Sequence, residues 1–407
     1  MLYQSKQRRR RAVRPLLATA LASLTLVAAA CGGSSSSSST GGSSSSASAG
    51  SSSSGSPGGG SDAISAAKAD LAKYTGPVSS YPTIKPISGG VSKLKGKNIW
   101  YIPIGSAVPI LNGFGVGIEG AVTKLGAQFH TCDGKFLPTT IAACINQAAS
   151  QGADGVVDGY IDYALVPTAF DNLVSKHIPV LIAGEAPSGG KTDSPQLAFD
   201  DTSPSINSLQ RLNNEAVIVD SNGKAKILFI GVTDSPQTLG AAAYSKKFFK
   251  DNCPGCTFTE IDYNTASLNR VPSQVSSALI SHPDTNYVIS ELDASAANAL
   301  SGIQTAGFTN KAKLAGTNGG LDSLQRIKAG QVQFADAGTS PIYLGWQFAD
   351  GIARMLVGQL PVNGLGLARI FTKDNVGGLT LTPEAYNTNA WYGSDDFQKT
   401  YTTAWGI

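Results

Sequence analysis

From about residue 96 onward the chain alternates between two hydrophobic rhythms. Short, nearly continuous apolar runs rich in β-branched and aromatic residues occupy 98–104, 155–158, 179–183, 226–231, 257–262, 287–291, 313–316 and 334–338. Between them lie helix-length segments with apolar residues three or four apart, at 137–151, 166–177, 239–251, 271–281, 294–306 and 342–358. Continuous apolar runs predict strands covered on both faces, and strand–helix alternation predicts parallel sheets flanked by helices. The rhythm breaks near 199–205, at Asp200-Asp201-Thr202-Ser203-Pro204, and a second strand–helix series begins. A body of about 310 residues is at the size where one core divides. The pattern therefore predicts an α/β protein of two doubly wound parallel-sheet lobes that divide near 202. Ligands sit beyond the carboxyl ends of strands in such sheets, so two facing lobes would share one cleft.

The first 95 residues have a different texture. Lys6, Arg8, Arg9, Arg10, Arg11 and Arg14 precede an apolar stretch at 16–30, which ends in Val27-Ala28-Ala29-Ala30-Cys31. A basic start, a short apolar middle and small residues before a cut describe a secretory signal over 1–30. The stretch is shorter than the roughly 20 residues of a membrane span. Small residues before Cys31 resemble the lipobox of bacterial lipoproteins, which implies acylation of Cys31; Ala28 stands where that pattern usually has Leu. The other readings are an ordinary signal cut, with Cys31 incidental, and twin-arginine export. Residues 32–61 are almost purely Gly and Ser, with Thr40, two Ala and Pro57. With no large apolar side chain to offset the entropy of ordering, 31–61 is predicted to be a flexible tether. Residues 62–95 form an N-terminal extension, helical at 63–74 and then extended and Pro-punctuated.

Charge is informative only once this leader is set aside. The whole chain carries 31 Lys and Arg against 28 Asp and Glu. Six of the basic residues lie in the leader, which leaves 25 against 28 and a net charge of −3. A mildly acidic body without a basic tract has no electrostatic footprint for nucleic acid. Cys132, Cys144, Cys253 and Cys256 suit two disulfides in an oxidising compartment, and proximity favours Cys132–Cys144 and Cys253–Cys256. A zinc site and a redox role for Cys253-Pro254-Gly255-Cys256 are the rival readings.

Several local phrases, in order, resemble the type I periplasmic binding proteins, specifically the ribose-binding-like solute receptors of ABC importers. They are Gln151-Gly152-Ala153-Asp154-Gly155-Val156-Val157, then His177-Ile178-Pro179-Val180-Leu181, then Asp293-Ala294-Ser295-Ala296 with Ala306-Gly307-Phe308. Gly316-Thr317-Asn318-Gly319 with Ile327-Lys328-Ala329-Gly330 completes the set. The resemblance implies two lobes joined by a hinge, 96–202 and 203–339, with 340–366 completing the first and 367–407 the second. It further implies closure of a hinge over a small solute, and docking of the closed, monomeric form on an ABC transporter permease. Sugar-binding relatives place charged and amide pairs at three strand ends where this chain reads Gly184-Glu185, Leu292-Asp293 and Asn318-Gly319. Loss of those pairs sets a less polar or amphiphilic solute beside a sugar as candidate ligand.

The candidate ligand residues follow from position. Phe114 lies where the family places an aromatic over its ligand, although a helix-packing role also fits. Ser106 and Asn112 share its loop and read equally as turn or cap residues. Asp133, Tyr160 and Asp162 follow the second and third strands, and Glu185 follows the fourth. In the second lobe Asp234, Gln237, Asn264, Asp293 and Asn318 follow strand ends, with helix capping as the plainer role of each. Gly115-Val116-Gly117-Ile118-Glu119-Gly120 matches a dinucleotide fingerprint, but a loop holding Pro109 separates it from the strand, so it reads as a helix with small packing residues. His130, His177 and His282 stand apart, with no metal spacing or nucleophile motif. No cofactor and no catalysis are expected. A receptor reporting to a membrane kinase is the nearest alternative to an importer subunit, and an exported hydrolase a more distant one.

Overall fold

The computed structural model describes residues 59–364 and 366–407. Residues 1–58, with the expected signal, the expected acylation site Cys31 and most of the expected tether, lie outside that range. The first sheet is wholly parallel, in the order β2-β1-β3-β4-β5: β1 Asn98–Pro103, β2 Gln128–Thr131, β3 Gly155–Gly159, β4 Val180–Gly184 and β5 Leu197–Asp201. Alternate residues of each strand point to opposite faces. Ile99, Tyr101, Val157 and Leu181 meet helices α2 (Pro109–Lys124) and α10 (Pro341–Leu356). Trp100, Ile102, Val156, Val180 and Ile182 meet α3 (Pro138–Ser150) and α4 (Pro167–Ser175). Both faces are therefore covered, which is why β4 and the middles of β1 and β3 are continuous apolar runs.

The second sheet has the order β11-β10-β9-β8-β6-β7. Its strands are β6 Lys226–Val232, β7 Thr257–Tyr263, β8 Tyr287–Ser290, β9 Lys313–Asn318, β10 Gln333–Gly338 and the antiparallel edge β11 Arg369–Thr372. Leu228, Ile230 and Val288 pack on α7 (Val271–Ser281) and α8 (Ala296–Thr305). Ile227, Phe229 and Ile289 pack on α5 (Ser203–Asp220) and α6 (Pro236–Asn252). Helix α9 (Leu321–Lys328) sits beside β10 and β11.

Three strands escaped the sequence reading. β2 and β11 are four-residue edge strands, and β5 carries the two aspartates that read as an interruption. Asp200 is in fact buried at the end of β5, where its carboxylate accepts from Gln347 Nε2 at 2.8 Å. The hinge crossing lies just beyond, between Asp201 and Ser203.

The chain crosses between lobes more often than expected. α1 (Gly59–Leu71), which begins three residues inside the stretch read as tether, lies on α5 of the second lobe, with Asp70 paired to Arg211. The extension then runs to the first lobe, where Ile87, Val91 and Leu94 join the core. On the way Val78 pairs with Gly393, and the Tyr81 hydroxyl donates to the Ser394 carbonyl at 2.6 Å. The tail also divides. Tyr386, Trp391 and Tyr392 pack on the second lobe, but helix Asp396–Trp405 returns to the first, contrary to the assignment of all of 367–407 to the second. Phe397, Tyr401 and Trp405, four apart, form one apolar stripe, and Trp405 stacks on Trp346 of α10 at 5.4 Å.

Cys132–Cys144 and Cys253–Cys256 are disulfide-bonded. The glycine pattern at 115–120 lies within α2, and Gly117 presses against α10. A Cβ there would stand 2.5 Å from the Ile342 carbonyl oxygen, whereas at Gly120 the nearest atom would be 3.7 Å away. Gly117→Ala is expected to cost about 1–3 kcal/mol by overpacking. Gly120→Ala should be neutral or stabilising by up to about 1 kcal/mol, because alanine favours the helix. Chemical denaturation of the two variants measures the contrast; equal stabilities would contradict the packing role of Gly117.

Candidate functional site

The carboxyl ends of β1, β3 and β4 face those of β6, β8 and β9, and the residues just beyond them close over a common space. Its inner part is a cavity of about 90 Å³, lined from the first lobe by Ile104, Leu111, Phe114, Phe136, Tyr160 and Glu185. The second lobe contributes Leu209, Val232, Asp234, Gln237, Glu291 and Asn318, among others. The lining is mostly aliphatic and aromatic. Phe114 is buried, stacks on Tyr160 at 5.6 Å between ring centres, and meets Phe348 edge-on at 5.5 Å. It is at once a core residue and a wall of the cavity.

Polar groups cross between lobes at one corner. Gln237, at the start of α6, donates through Nε2 to the Gly184 carbonyl and, at 2.8 Å, to Thr202 Oγ1. Thr202 in turn donates to the Gly184 carbonyl at 3.1 Å and lies 3.1 Å from the Tyr160 hydroxyl. The Glu185 carboxyl is buried beside the Ser235 side chain and the Gln237 backbone, which line the same cavity and act on it electrostatically. A first-lobe acid is thus enclosed by polar groups of the second lobe. Burial pushes Glu185 up from 4.5 to about 8, and the nearby Asp162 and Asp201 add to the rise, against the opposing influence of Ser235 and Gln237.

A second buried acid was missed by the sequence reading. Glu291, 0 % exposed, follows β8 and lines the same cavity. One carboxyl oxygen accepts from the Val232 N–H at 2.8 Å; the other, Oε1, is buried with no hydrogen-bond partner. Burial drives its carboxyl well above the usual range, and Asp262, Glu260 and Asp234 reinforce the shift. The run 287–291 absorbed it as a strand residue, and nothing in the hydrophobic period distinguishes an acid at a strand's end from one beyond it.

An outer compartment of about 420 Å³ adjoins the inner one, sharing Val108, Ile110 and Asn318. Asn112, Asp293, Arg326 and Tyr386 are among its lining. Asp293 accepts from the Gly320 N–H at 2.5 Å and from Ser323 Oγ at 2.7 Å. Burial raises its carboxyl, and raises the neighbouring Asp336 further, because the two acids face each other.

The twelve expected ligand residues therefore separate. Phe114, Tyr160, Glu185, Asp234, Gln237 and Asn318 line the inner cavity, and Asn112, Asp293 and again Asn318 the outer one. Ser106, Asp133, Asp162 and Asn264 line neither. Asp133 holds the Ser106 N–H and hydroxyl at 2.9 and 2.6 Å, Asp162 caps a short turn through the Ala164 N–H, and Asn264 caps the turn after β7. All four follow strand ends, as expected, but the acceptors of Asp133, Asp162 and Asn264 satisfy loop N–H groups and Ser106 donates to Asp133, in place of facing the cleft. Asp234 also holds the Thr265 N–H, at 3.0 Å. Among the described residues no group of three or more His, Cys, Asp or Glu is placed to hold a metal ion, and no helix is long and apolar enough to cross a membrane.

Residues 99–360 match the profile of the periplasmic binding protein domain family. Among solved structures, an ABC transporter solute-binding protein from Agrobacterium vitis with bound allitol is 19% identical, with a TM-score of 0.59 over 70% of this chain and 97% of that one. A glucose-galactose binding protein from Geobacillus stearothermophilus gives 15% and 0.61, covering 69% and 99%. A Caulobacter myo-inositol binding protein gives 18% and 0.59, covering 72% and 97%. At such identities the likeness is one of fold. No curated protein matches the chain.

A raised acid pKa favours the folded form at low pH and withdraws that support as pH climbs. The Glu185 contribution should thus be complete below about pH 4.5 and be lost as pH rises through about 8. Between pH 5 and 8, Glu185→Gln should make the decline of unfolding free energy shallower, by up to about 1.4 kcal/mol per pH unit, one proton's worth. Urea titrations across that range would contradict this if wild type and variant ran parallel.

Proposed function

The chain belongs to the periplasmic binding protein domain family, a family of binding proteins and not of enzymes, and from that membership we propose that it captures a small organic solute between its lobes. The captured solute is then delivered to the permease of an ABC importer. The observation that carries this reading is a cavity lined by strand ends of both lobes, with Gln237 bridging them. A solute seated there touches both lobes only when they are shut, so its binding free energy is differential and drives closure. The inner cavity lies well below the roughly 300–1,000 Å³ of common small-molecule pockets, so the lobes must part to admit a guest of sugar size.

Within this reading Phe114 and Tyr160 present flat faces to the solute, while Glu185, Gln237, Asn318 and Asp234 meet its polar groups. Asn112 and Asp293 meet the portion that reaches the outer compartment. Similar structures carry allitol and myo-inositol, which supports a polyol-like frame for the solute. The apolar lining adds a preference for a guest with one hydrocarbon face. The body is exported, as the family name implies. It acts as a monomer, held at the outer face of the cytoplasmic membrane by a lipid on Cys31 and a long Gly/Ser tether.

A thermal-shift panel of sugars, polyols and their amino derivatives tests the proposal. A true ligand at about 100 times its Kd adds about 2.7 kcal/mol of stability, a shift of several degrees or less but readily measured. Phe114→Ala should lose most of that shift. A flat response to the whole panel would contradict the solute-binding reading.

A further inference from the structure

The inner cavity is electrostatically one-sided. Glu185, Asp234 and Glu291 line it, and among the described residues no Lys, Arg or His does. The charged groups acting on its two buried acids are themselves acidic: Asp162 and Asp201 on Glu185, and Asp234, Glu260 and Asp262 on Glu291. Burying carboxyls in an apolar enclosure without a cation is costly and is met by holding them protonated. Glu291 adds a specific vacancy for a bond, because Oε1 is sealed from solvent, belongs to a residue lining the cavity and has no partner among the described residues.

We propose that this cavity selects a protonated primary amine carried on a small polyol or cycloalkyl frame, over the corresponding neutral or anionic solute. The proposal rests on the solute-binding reading and gives it a ligand class. An ammonium group offers three N–H donors and one positive charge. Glu291 Oε1 takes one donor and a Glu185 oxygen another, and the charge lets both acids ionise where a hydroxyl would not. The stacked pair Phe114 and Tyr160 accommodates the adjoining frame and, through its ring faces, the charge itself. A carboxylate or phosphate in the same place would meet only acids.

Matched probes test the selection on the intact protein: cyclohexylamine against cyclohexanol and cyclohexanecarboxylate, and D-glucosamine against D-glucose. Titration calorimetry should show the amine of at least one set binding tenfold or more tighter than its neutral partner, with the carboxylate weakest. Run in two buffers of different ionisation enthalpy near pH 7, amine binding should release protons, and its affinity should rise several-fold from pH 6 to pH 8. Glu291→Gln should bring amine and alcohol to within about threefold of each other. Neutral partners binding as tightly as amines would overturn amine selection and leave the solute-binding reading standing. Amine binding without proton release, or a preference unchanged by Glu291→Gln, would overturn it equally, as would failure of every amine to bind.

Discussion

The Glu185 carboxyl sits at the end of a strand in one lobe, buried beside Ser235 and Gln237 of the other. The same glutamine closes a small network with the Gly184 carbonyl and Thr202 at the hinge. Buried polar groups left without partners are costly, so this network is complete only when the lobes meet. The remaining architecture serves this constraint. Parallel strands covered on both faces bring their polar ends to one edge of each sheet, and the hinge between Asp201 and Ser203 sets those edges opposite one another.

The lobes are also bound together at their termini. The N-terminal extension starts on α5 of the second lobe and enters the first lobe's core through Ile87 and Leu94. The tail makes the reverse passage, from Trp391 to the stripe Phe397, Tyr401 and Trp405. Tyr81 and Ser394 join these two passages where they run past each other. A hinge flanked by such straps moves along a restricted path, which favours a defined open and shut pair over loose tumbling of two bodies.

Much of this was legible in the sequence, for identifiable reasons. Strands buried on both faces betray themselves by continuous apolar runs, so β1, β3, β4, β6 and β8 emerged nearly at their observed bounds. β2 is an edge strand that buries little, and β11, although buried, is only four residues long and opens on Arg369, so neither carries such a mark. β5 was obscured by Asp200, whose burial beside Gln347 is a tertiary fact that no local pattern records. For the cleft, the family resemblance pointed to Phe114 and position beyond a strand end to Glu185 and Gln237, but the same strand-end rule admitted Asp133, Asp162 and Asn264, which fold back onto their own loops. Short acids and amides satisfy nearby N–H groups as readily as they face a ligand. Glu291 was lost for the converse reason, since it continues an apolar run into the cavity wall.

The central claim is mechanical: solute binding draws two lobes together over an apolar, acid-lined space. Leu165 and Leu239 are exposed side chains, one on each lobe, both beyond the carboxyl ends of the sheets. Nitroxide labels introduced there through non-natural residues would report the separation of the lips by pulsed electron resonance. The distance distribution should be broad, with a long component, in the absence of solute, and should collapse to one short distance when a stabilising solute is added. A distribution unchanged by a solute that demonstrably binds would contradict closure as the response to capture.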